Sequence, residues 1–536
     1  MQSTEVLIMG GGLAGLTLAI QLRQRFPQLE VRVLEQRVHP VPVATHKVGE
    51  ATVEIGAQYL SRDLGLAQHL ESGQLRKFGF RFFFSDRRRD LDRVTELGVS
   101  RHLATPTYQL DRGLFENHLG ARARECGALF LDGATVTGFQ LGTDGPHEVS
   151  YAHDGREHHV RPRWLIDASG RAGLIKRRLA LAERNAHDAN AVWFRIGGRI
   201  DLDGWSHDPG FRTRCDTPRW LSTNHLIGEG YWVWLIPLAS GSHSVGIVAD
   251  AKLHPLARMS SFDRALEWLQ QHQPRLAEEL DGRRGELQDF LFLRRFSYGC
   301  KRVFSGERWA LTGESGVFLD PFYSPGTDFI AIANTYIAEL VARDLEGAAL
   351  APHARYYEQL FLSFYRSTLS LYVDQYPLFG DPEVMPVKVL WDYTYYWGVL
   401  CQLYFQGRLA DLGAIGAVRG ELASTLALNE AVQALLRAWA SASARRNPAT
   451  MIDQAALGWF AELNRGLLDR LDTAGFTARM RENAALLHGL AAEIATRAAA
   501  EHPTLDVSAL LELARAGAAA APAGLLRGAT LLDCAA

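Results

Sequence analysis

VLIMGGGLAGLTLAIQL, residues Val6 to Leu22, runs from an apolar strand through Gly10, Gly12 and Gly15 into an apolar helix. Glycines at this spacing make a tight turn, let a pyrophosphate approach bare backbone, and aim a helix N-terminus at its charge. The stretch predicts a dinucleotide site. Glycines alone are weak grounds, because they also end strands for steric reasons. The context strengthens them: VRVLEQR follows as a second strand, and Glu35 stands about 20 positions beyond the last glycine, where an acid reaches ribose hydroxyls. The stretch carries no charge, yet it lacks the basic flank of a signal peptide and the unbroken apolar length of a membrane span.

Around this core, 536 residues with 47% hydrophobic content suffice for roughly two to four packed domains. Lys and Arg total 57 against 60 Asp and Glu, so the near-neutral charge of -3 gives no reason to expect nucleic acid as a partner. Five scattered cysteines, Cys126, Cys215, Cys300, Cys401 and Cys534, form no CxxC pair. They suit a reducing cytoplasm and offer no metal-ligand spacing. No transmembrane segment and no internal repeat is expected, and only Ala516 to Ala523 approaches low complexity.

Downstream, Gly49, Glu50 and Ala51 read as a loop entering a helix, placed to lie across an extended cofactor. LRKFGFRFFF, Leu75 to Phe84, reads as one strand of strong β-propensity containing Lys77. A lysine there either blunts a sheet edge or does chemistry. A helix is expected from near Asp111, and strand WLID ends in Asp167, Ala168, Ser169 and Gly170, a small-residue turn that permits close approach. Ala191 to Asp250 is rich in β signals. Alternation in YWVWLIP puts Trp232 and Trp234 on one face and Val233 and Leu235 on the other, as either a core layer or a pocket wall. The strand Trp309 to Leu311 ends at Gly313 and Glu314, and Pro321 to Gly326 lead into a long helix near Asp328, whose N-terminal N–H groups suit flavin oxygens or an anion. From about Gly347 the chain reads as helical, with an aromatic-rich section from Tyr356 to Tyr404.

These residues resemble the flavin-dependent halogenases, within the FAD-dependent aromatic monooxygenases. The glycine loop, Glu35, Asp167 to Arg171 and the Gly313–Glu314 pair match the FAD frame of the wider group, where that pair is more often Gly-Asp. Two motifs narrow the match. Trp232, Trp234, Ile236 and Pro237 fit the halogenase WxWxIP pattern, and Phe318, Pro321, Ser324 and Gly326 fit its FxxPxxSxG pattern beside the flavin. KFGFRF from Lys77 resembles the strand bearing the family's catalytic lysine, with HKVGEAT resembling its flavin-strap loop; Lys47, just before that loop, is the competing lysine.

The resemblance implies an α/β architecture: a Rossmann-like FAD-binding core over 1–345, mainly β substrate regions inserted at about 75–110 and 190–300, and a helical C-terminal domain over 346–536. It implies FAD, used as FADH2, held by Gly10, Gly12, Leu13, Ala14, Gly15, Glu35, Gly49, Glu50, Ala51, Arg112, Asp167, Gly313, Glu314, Pro321 and Gly326. Ser324, Gly326 and Thr327 would lie near halide and flavin, and Trp232, Trp234, Ile236, Pro237 and Tyr323 would wall the substrate. Lys77 would receive hypohalous acid, made from reduced FAD, dioxygen and halide such as chloride or bromide, and direct it onto an electron-rich ring in secondary metabolism. A separate flavin reductase and an aromatic substrate, free or tethered to a carrier protein, would be the partners.

The chain departs from the pattern twice. Tyr323 stands where tryptophan halogenases usually carry a glutamate, and a phenol of ordinary pKa about 10 is a poor base at neutral pH. Phenolic substrates, which activate their own ring, are therefore expected in preference to free tryptophan. Pro325 has no N–H to give a halide, leaving Gly326 and Thr327. An FAD-dependent hydroxylase is the alternative, and a non-catalytic flavin-binding partner protein a third reading.

Overall fold

The computed structural model describes residues 2–44, 48–143, 145–515 and 524–526. Lys47, Cys534 and Ala516 to Ala523 lie outside the described residues. The chain folds as two compact units, one of residues 1–74, 110–186 and 297–366, the other of 75–109, 187–296 and 367–536.

In the first unit the strand Gln2–Met9 lies between two parallel neighbours, Val31–Glu35 and Arg156–Asp167. Val6, Leu7 and Ile8 are wholly buried, which is why the strand reads as a continuous apolar run rather than an alternation. Leu129–Asp132 extends the sheet in parallel beyond Val31–Glu35, and Trp309–Leu311 pairs in parallel with the end of Arg156–Asp167. Two antiparallel strands, Glu148–His153 and Thr135–Gln140, complete it. Helices Leu13–Arg25, Arg112–Glu125 and Gly326–Leu345 follow the expected grammar, and Asp111 is the N-cap of the second. This is the Rossmann-like α/β fold expected of an FAD-binding chain.

The second unit is built on an eight-stranded sheet. Its centre is antiparallel: Ala189–Gly197, Ser242–Asp250, Tyr231–Pro237 and Thr223–Gly228 pair in that order. Val233 and Leu235 join Phe194, Ile196, Val245 and Ile247 in one hydrophobic cluster, as the alternation predicted. Beyond Thr223–Gly228 lie Phe80–Phe83, then Glu96–Gly98, then Met451–Asp453, which reaches the sheet from an otherwise helical region.

The expected single strand from Leu75 to Phe84 is corrected. Leu75–Arg76 pairs with Tyr108–Gln109 in a separate two-stranded sheet, while Phe80–Phe83 joins the large one. Gly79 at φ +65° breaks the pleat between them, so Lys77 occupies the break rather than a strand. The expected division after residue 345 does not coincide with the two units: the helix Leu350–Leu369 straddles their boundary, and 367–536 group with the inserted strands. No helix among the described residues is long and apolar enough to cross a membrane.

Candidate functional site

The glycine loop of the first unit is shaped by what it excludes. Gly10 sits at φ +116°, and a Cβ there would lie 2.2 Å from the Ala168 carbonyl oxygen. A Cβ on Gly15 would lie 2.0 Å from the Gly10 carbonyl oxygen. The neighbouring strands thus come together at the loop: Gly10 N donates to Leu34 O and Ala168 N to Met9 O, at 2.8 and 2.9 Å. Gly12 is the helix N-cap and supplies no side chain, so the amides of Leu13, Ala14 and Gly15 open the helix as an anion cradle. Glu35 Oε2 accepts from Gly11 N at 2.7 Å and Oε1 from Arg37 N at 2.8 Å. A carboxylate accepts about four hydrogen bonds, so this half-buried group retains lone pairs for a ribose.

The strap segment is fastened to the same unit. Arg112 donates to the carbonyls of Val48 and Gly49 at 2.9 and 3.2 Å and to Glu116 Oε1 at 2.6 Å, and Leu110 N donates to Glu50 O. The buried Arg112 Nε has no partner among the described residues. Ala51 is buried just ahead of the short helix Glu54–Gln58.

Asp167 builds the opposite turn. Its carboxylate accepts from Ser169 N, Ser169 Oγ and Ile175 N, and its carbonyl from Thr312 N and Ser315 Oγ. Burial pushes its pKa up against these hydrogen bonds. The Asp167 side chain is therefore spent on the turn, and the backbone is what faces outward: Gly170 at φ +62° meets nothing within 4 Å of an added Cβ. A Cβ on Gly313, at φ +64°, would lie 2.9 Å from Ala14 Cβ. Glu314 pairs with Arg171 at 3.1 Å, and the Arg171 guanidinium lies 4.6 Å from the centroid of the Phe318 ring.

In the motif loop, Ser324 adopts φ +52° and donates its N–H to Pro321 O at 2.9 Å. Pro325 is the N-cap of Gly326–Leu345. The first-turn amides of Gly326 and Thr327 lack intrahelical partners, while Thr327 packs under Gly56. Tyr323 is half-buried with its ring edge-on to Phe322, 4.7 Å between centroids.

Asn334 was missed by sequence reasoning. Its Nδ2 reaches Ala14 O, Thr17 Oγ and Tyr59 Oη at 3.2, 3.1 and 3.0 Å, and its Oδ1 accepts from Thr312 Oγ at 2.7 Å. One buried amide thus ties the glycine-loop helix to the Gly313 turn. An asparagine among the apolar residues of IAIANTYIAEL was the available signal.

In the second unit Lys77 is 3% exposed. Its N–H donates to Thr107 O at 2.8 Å, and its Nζ lies 3.3 Å from the centroid of the Phe80 ring. Phe80 and Phe82 flank His225, which neighbours Trp232, and Trp232 lies 5.6 Å from Trp234. Both indoles are held: Trp232 Nε1 donates to Tyr376 Oη at 2.8 Å and Trp234 Nε1 to Ser244 Oγ at 3.1 Å. Gly246, paired opposite Trp234, makes room for it, since a Cβ there would lie 2.2 Å from the indole. Trp232, Trp234, Ile236 and Pro237 are all buried within this unit as a packed layer.

A charged cluster fixes the segment that carries Lys77. Glu96 bonds both Arg81 and Arg219, Arg81 donates to Val99 O at 2.6 Å, and Ser222 Oγ donates to Phe78 O at 2.9 Å. Burial alone would raise Glu96, but the Arg81 and Arg219 guanidiniums hold it below the usual carboxylate range.

The sequence matches the FAD binding domain family over residues 3–214. The flavin-dependent halogenase chlA of Dictyostelium discoideum is 25% identical over 434 residues, covering 75% of this chain and 70% of that protein. The 1H-pyrrole-2-carbonyl-(peptidyl-carrier protein) brominase of Pseudoalteromonas luteoviolacea (strain 2ta16) is 26% identical over 356 residues, covering 65% and 79%. The relatives the chain resembles in sequence are thus flavin-dependent halogenases. In fold, the chain is similar to halogenase PltM solved with phloroglucinol and FAD, at TM-score 0.65 and 19% identity over 93% of this chain and 96% of that one. Its cofactor is FAD, and the residues fit it: the cradle at Gly10 and Gly15 admits no Cβ, and Arg112 keeps a buried N–H without a partner among the described residues.

Proposed function

We propose that this FAD-dependent enzyme is a halogenase that acts on a phenolic ring through Lys77, with Gly326 and Thr327 supplying the halide-side amides. The observation that carries the reading is the burial of the Lys77 amino group against the face of Phe80, in a break held by Thr107. Bound FAD, once reduced, supplies the electrons that let dioxygen oxidise halide to hypohalous acid. Lys77 delivers that acid to the ring, as an ammonium that holds and polarises it by hydrogen bonding or, in the neutral form that burial favours, as a haloamine formed with loss of water, while the buried aromatic surroundings exclude bulk water. Nothing at Tyr323 replaces the tryptophan halogenases' carboxylate, so the substrate's own hydroxyl activates its ring. The phloroglucinol complex of PltM supports a phenol. The chain offers one glycine-rich nucleotide loop, which supports reduction of FAD by a separate reductase, and its cysteine pattern supports a cytoplasmic setting.

The test supplies reduced FAD, dioxygen and bromide with a panel of phenols and looks for the bromine isotope pair by mass spectrometry. Lys77→Ala is expected to abolish brominated product while FAD occupancy and oxidation of the reduced flavin persist. Loss of FAD in this variant would make Lys77 structural, and an oxygenated product independent of halide would favour the hydroxylase, the reading that Pro325 supports.

A further inference from the structure

Among the buried amide and indole N–H groups of the second unit that have no partner among the described residues, four lie on adjoining elements near Lys77: Trp397 Nε1, Gln402 Nε2, Gln454 Nε2 and Asn464 Nδ2. Their residues are 1%, 1%, 3% and 0% exposed. A buried donor left unsatisfied costs about 1–3 kcal/mol, so four on adjoining elements call for an occupant.

Contacts within this unit lead from Lys77 to these donors and back. Phe80, under the Lys77 amino group, lies 6.2 Å from the Tyr393 ring, and Tyr393 lies 4.8 Å from Trp397 and 5.9 Å from Phe460. Trp397 and Phe460 are 4.5 Å apart. Asn464 follows Phe460 by one helical turn on the helix Gly458–Gly466, and so shares its face. Asn464 Oδ1 and O accept from the N–H and hydroxyl of Thr105, two residues before the Thr107 whose carbonyl holds Lys77. The Thr105 amide also settles which end of the Asn464 side chain is the unpartnered NH2. Gln454 adjoins Ala455, which packs with Phe78 beside Lys77. Trp397 lies in a π-helical turn, Tyr396–Cys401, a wide turn that proteins keep mostly at functional sites.

We propose that Trp397, Gln454 and Asn464, with Gln402 behind them, form the recognition end of the substrate site and bind the oxygen atoms of a hydroxyarene. The inference rests on the halogenase reading and adds to it how the ring is chosen. Each of the four unpartnered atoms is a donor, so the complementary group is an acceptor. A phenol or phenolate oxygen accepts; an indole offers only an N–H, which meets donors and finds nothing to receive it.

The experiment titrates FAD-loaded enzyme with phloroglucinol and with indole by calorimetry, independently of turnover. Wild type is expected to bind phloroglucinol and to bind indole at least tenfold more weakly. Trp397→Phe keeps the ring and loses the N–H, and should weaken phloroglucinol about three- to tenfold with FAD occupancy unchanged. Asn464→Asp keeps the acceptor for Thr105 but turns the donor into a carboxylate oxygen. It should weaken phloroglucinol further and strengthen indole, a swap that mere structural damage would not produce. Gln454→Glu provides the same test should Asn464→Asp fold poorly. Equal affinity of wild type for the two rings, or unchanged phloroglucinol affinity in the variants, overturns the assignment. Binding that changes as expected without any brominated product would instead overturn the halogenation of phenols and leave the recognition site standing.

Discussion

Single atoms decide much of the flavin cradle. Gly15→Ala would drive a methyl group to 2.0 Å from the Gly10 carbonyl, so the variant is expected to purify without flavin absorbance. Retention of normal FAD would refute the assignment of the loop. Asn334→Ala removes the amide shared by Ala14, Thr17, Tyr59 and Thr312. It should lower unfolding free energy by about 2 kcal/mol in a denaturant titration and weaken FAD retention. The glycines were legible because backbone conformation is a local demand that residue type answers directly. Asn334 was not, because its value lies in partners up to 320 positions away in sequence. Lys77 was found by its neighbours in KFGFRF, but the strong β-propensity of the phenylalanines from Phe78 to Phe83 masked Gly79, whose positive φ interrupts the pleat.

At the scale of elements, the strand Phe80–Phe83 is kept in place by charge as well as by its ladder. Glu96→Gln leaves Arg81 and Arg219 buried with one anion fewer, and should cost about 3–5 kcal/mol of stability in chemical denaturation. A cost near zero would show that the cluster is satisfied by other groups. Gly246→Ala pushes a methyl group into the Trp234 indole across the strand pair. It is expected to destabilise by about 1–3 kcal/mol and to shift tryptophan fluorescence, through displacement of the indole layer. The alternation of Val233 and Leu235 against Trp232 and Trp234 was readable from the sequence because a strand's period is fixed. The glycine facing Trp234 was not, since strand register is set by pairing that no local pattern states.

For the whole molecule, acidity is the lever that the histidines expose. His69 is lowered to about 4 by burial and by the His118 ring stacked 3.7 Å away, and His243 to about 3 by burial and by Arg283 and Arg199. Both are neutral when folded and take up protons near pH 6.5 when unfolded. Their contribution is therefore complete above pH 6.5 and is lost as pH falls from there toward 4 for His69 and toward 3 for His243. Melting temperature should decline across that window, and His243→Gln should make the decline shallower throughout it. The α/β class and the cofactor were legible from the N-terminal pattern, but the grouping of 367–536 with the inserted strands was not. Met451–Asp453 is a three-residue strand among helices, and nothing in so short a run announces a partner at Glu96–Gly98.

That late strand has a consequence for biosynthesis. The edge at Glu96–Gly98 emerges from the ribosome long before residues 451–453 exist to cover it. Translation adds roughly 5–20 residues per second, so this edge stays open for tens of seconds in every newly made chain. An open edge is a template for the wrong strand. A truncated product ending before Met451 would carry that exposure permanently, and expression of the protein should accordingly depend on chaperones that hold nascent chains until synthesis has passed that point.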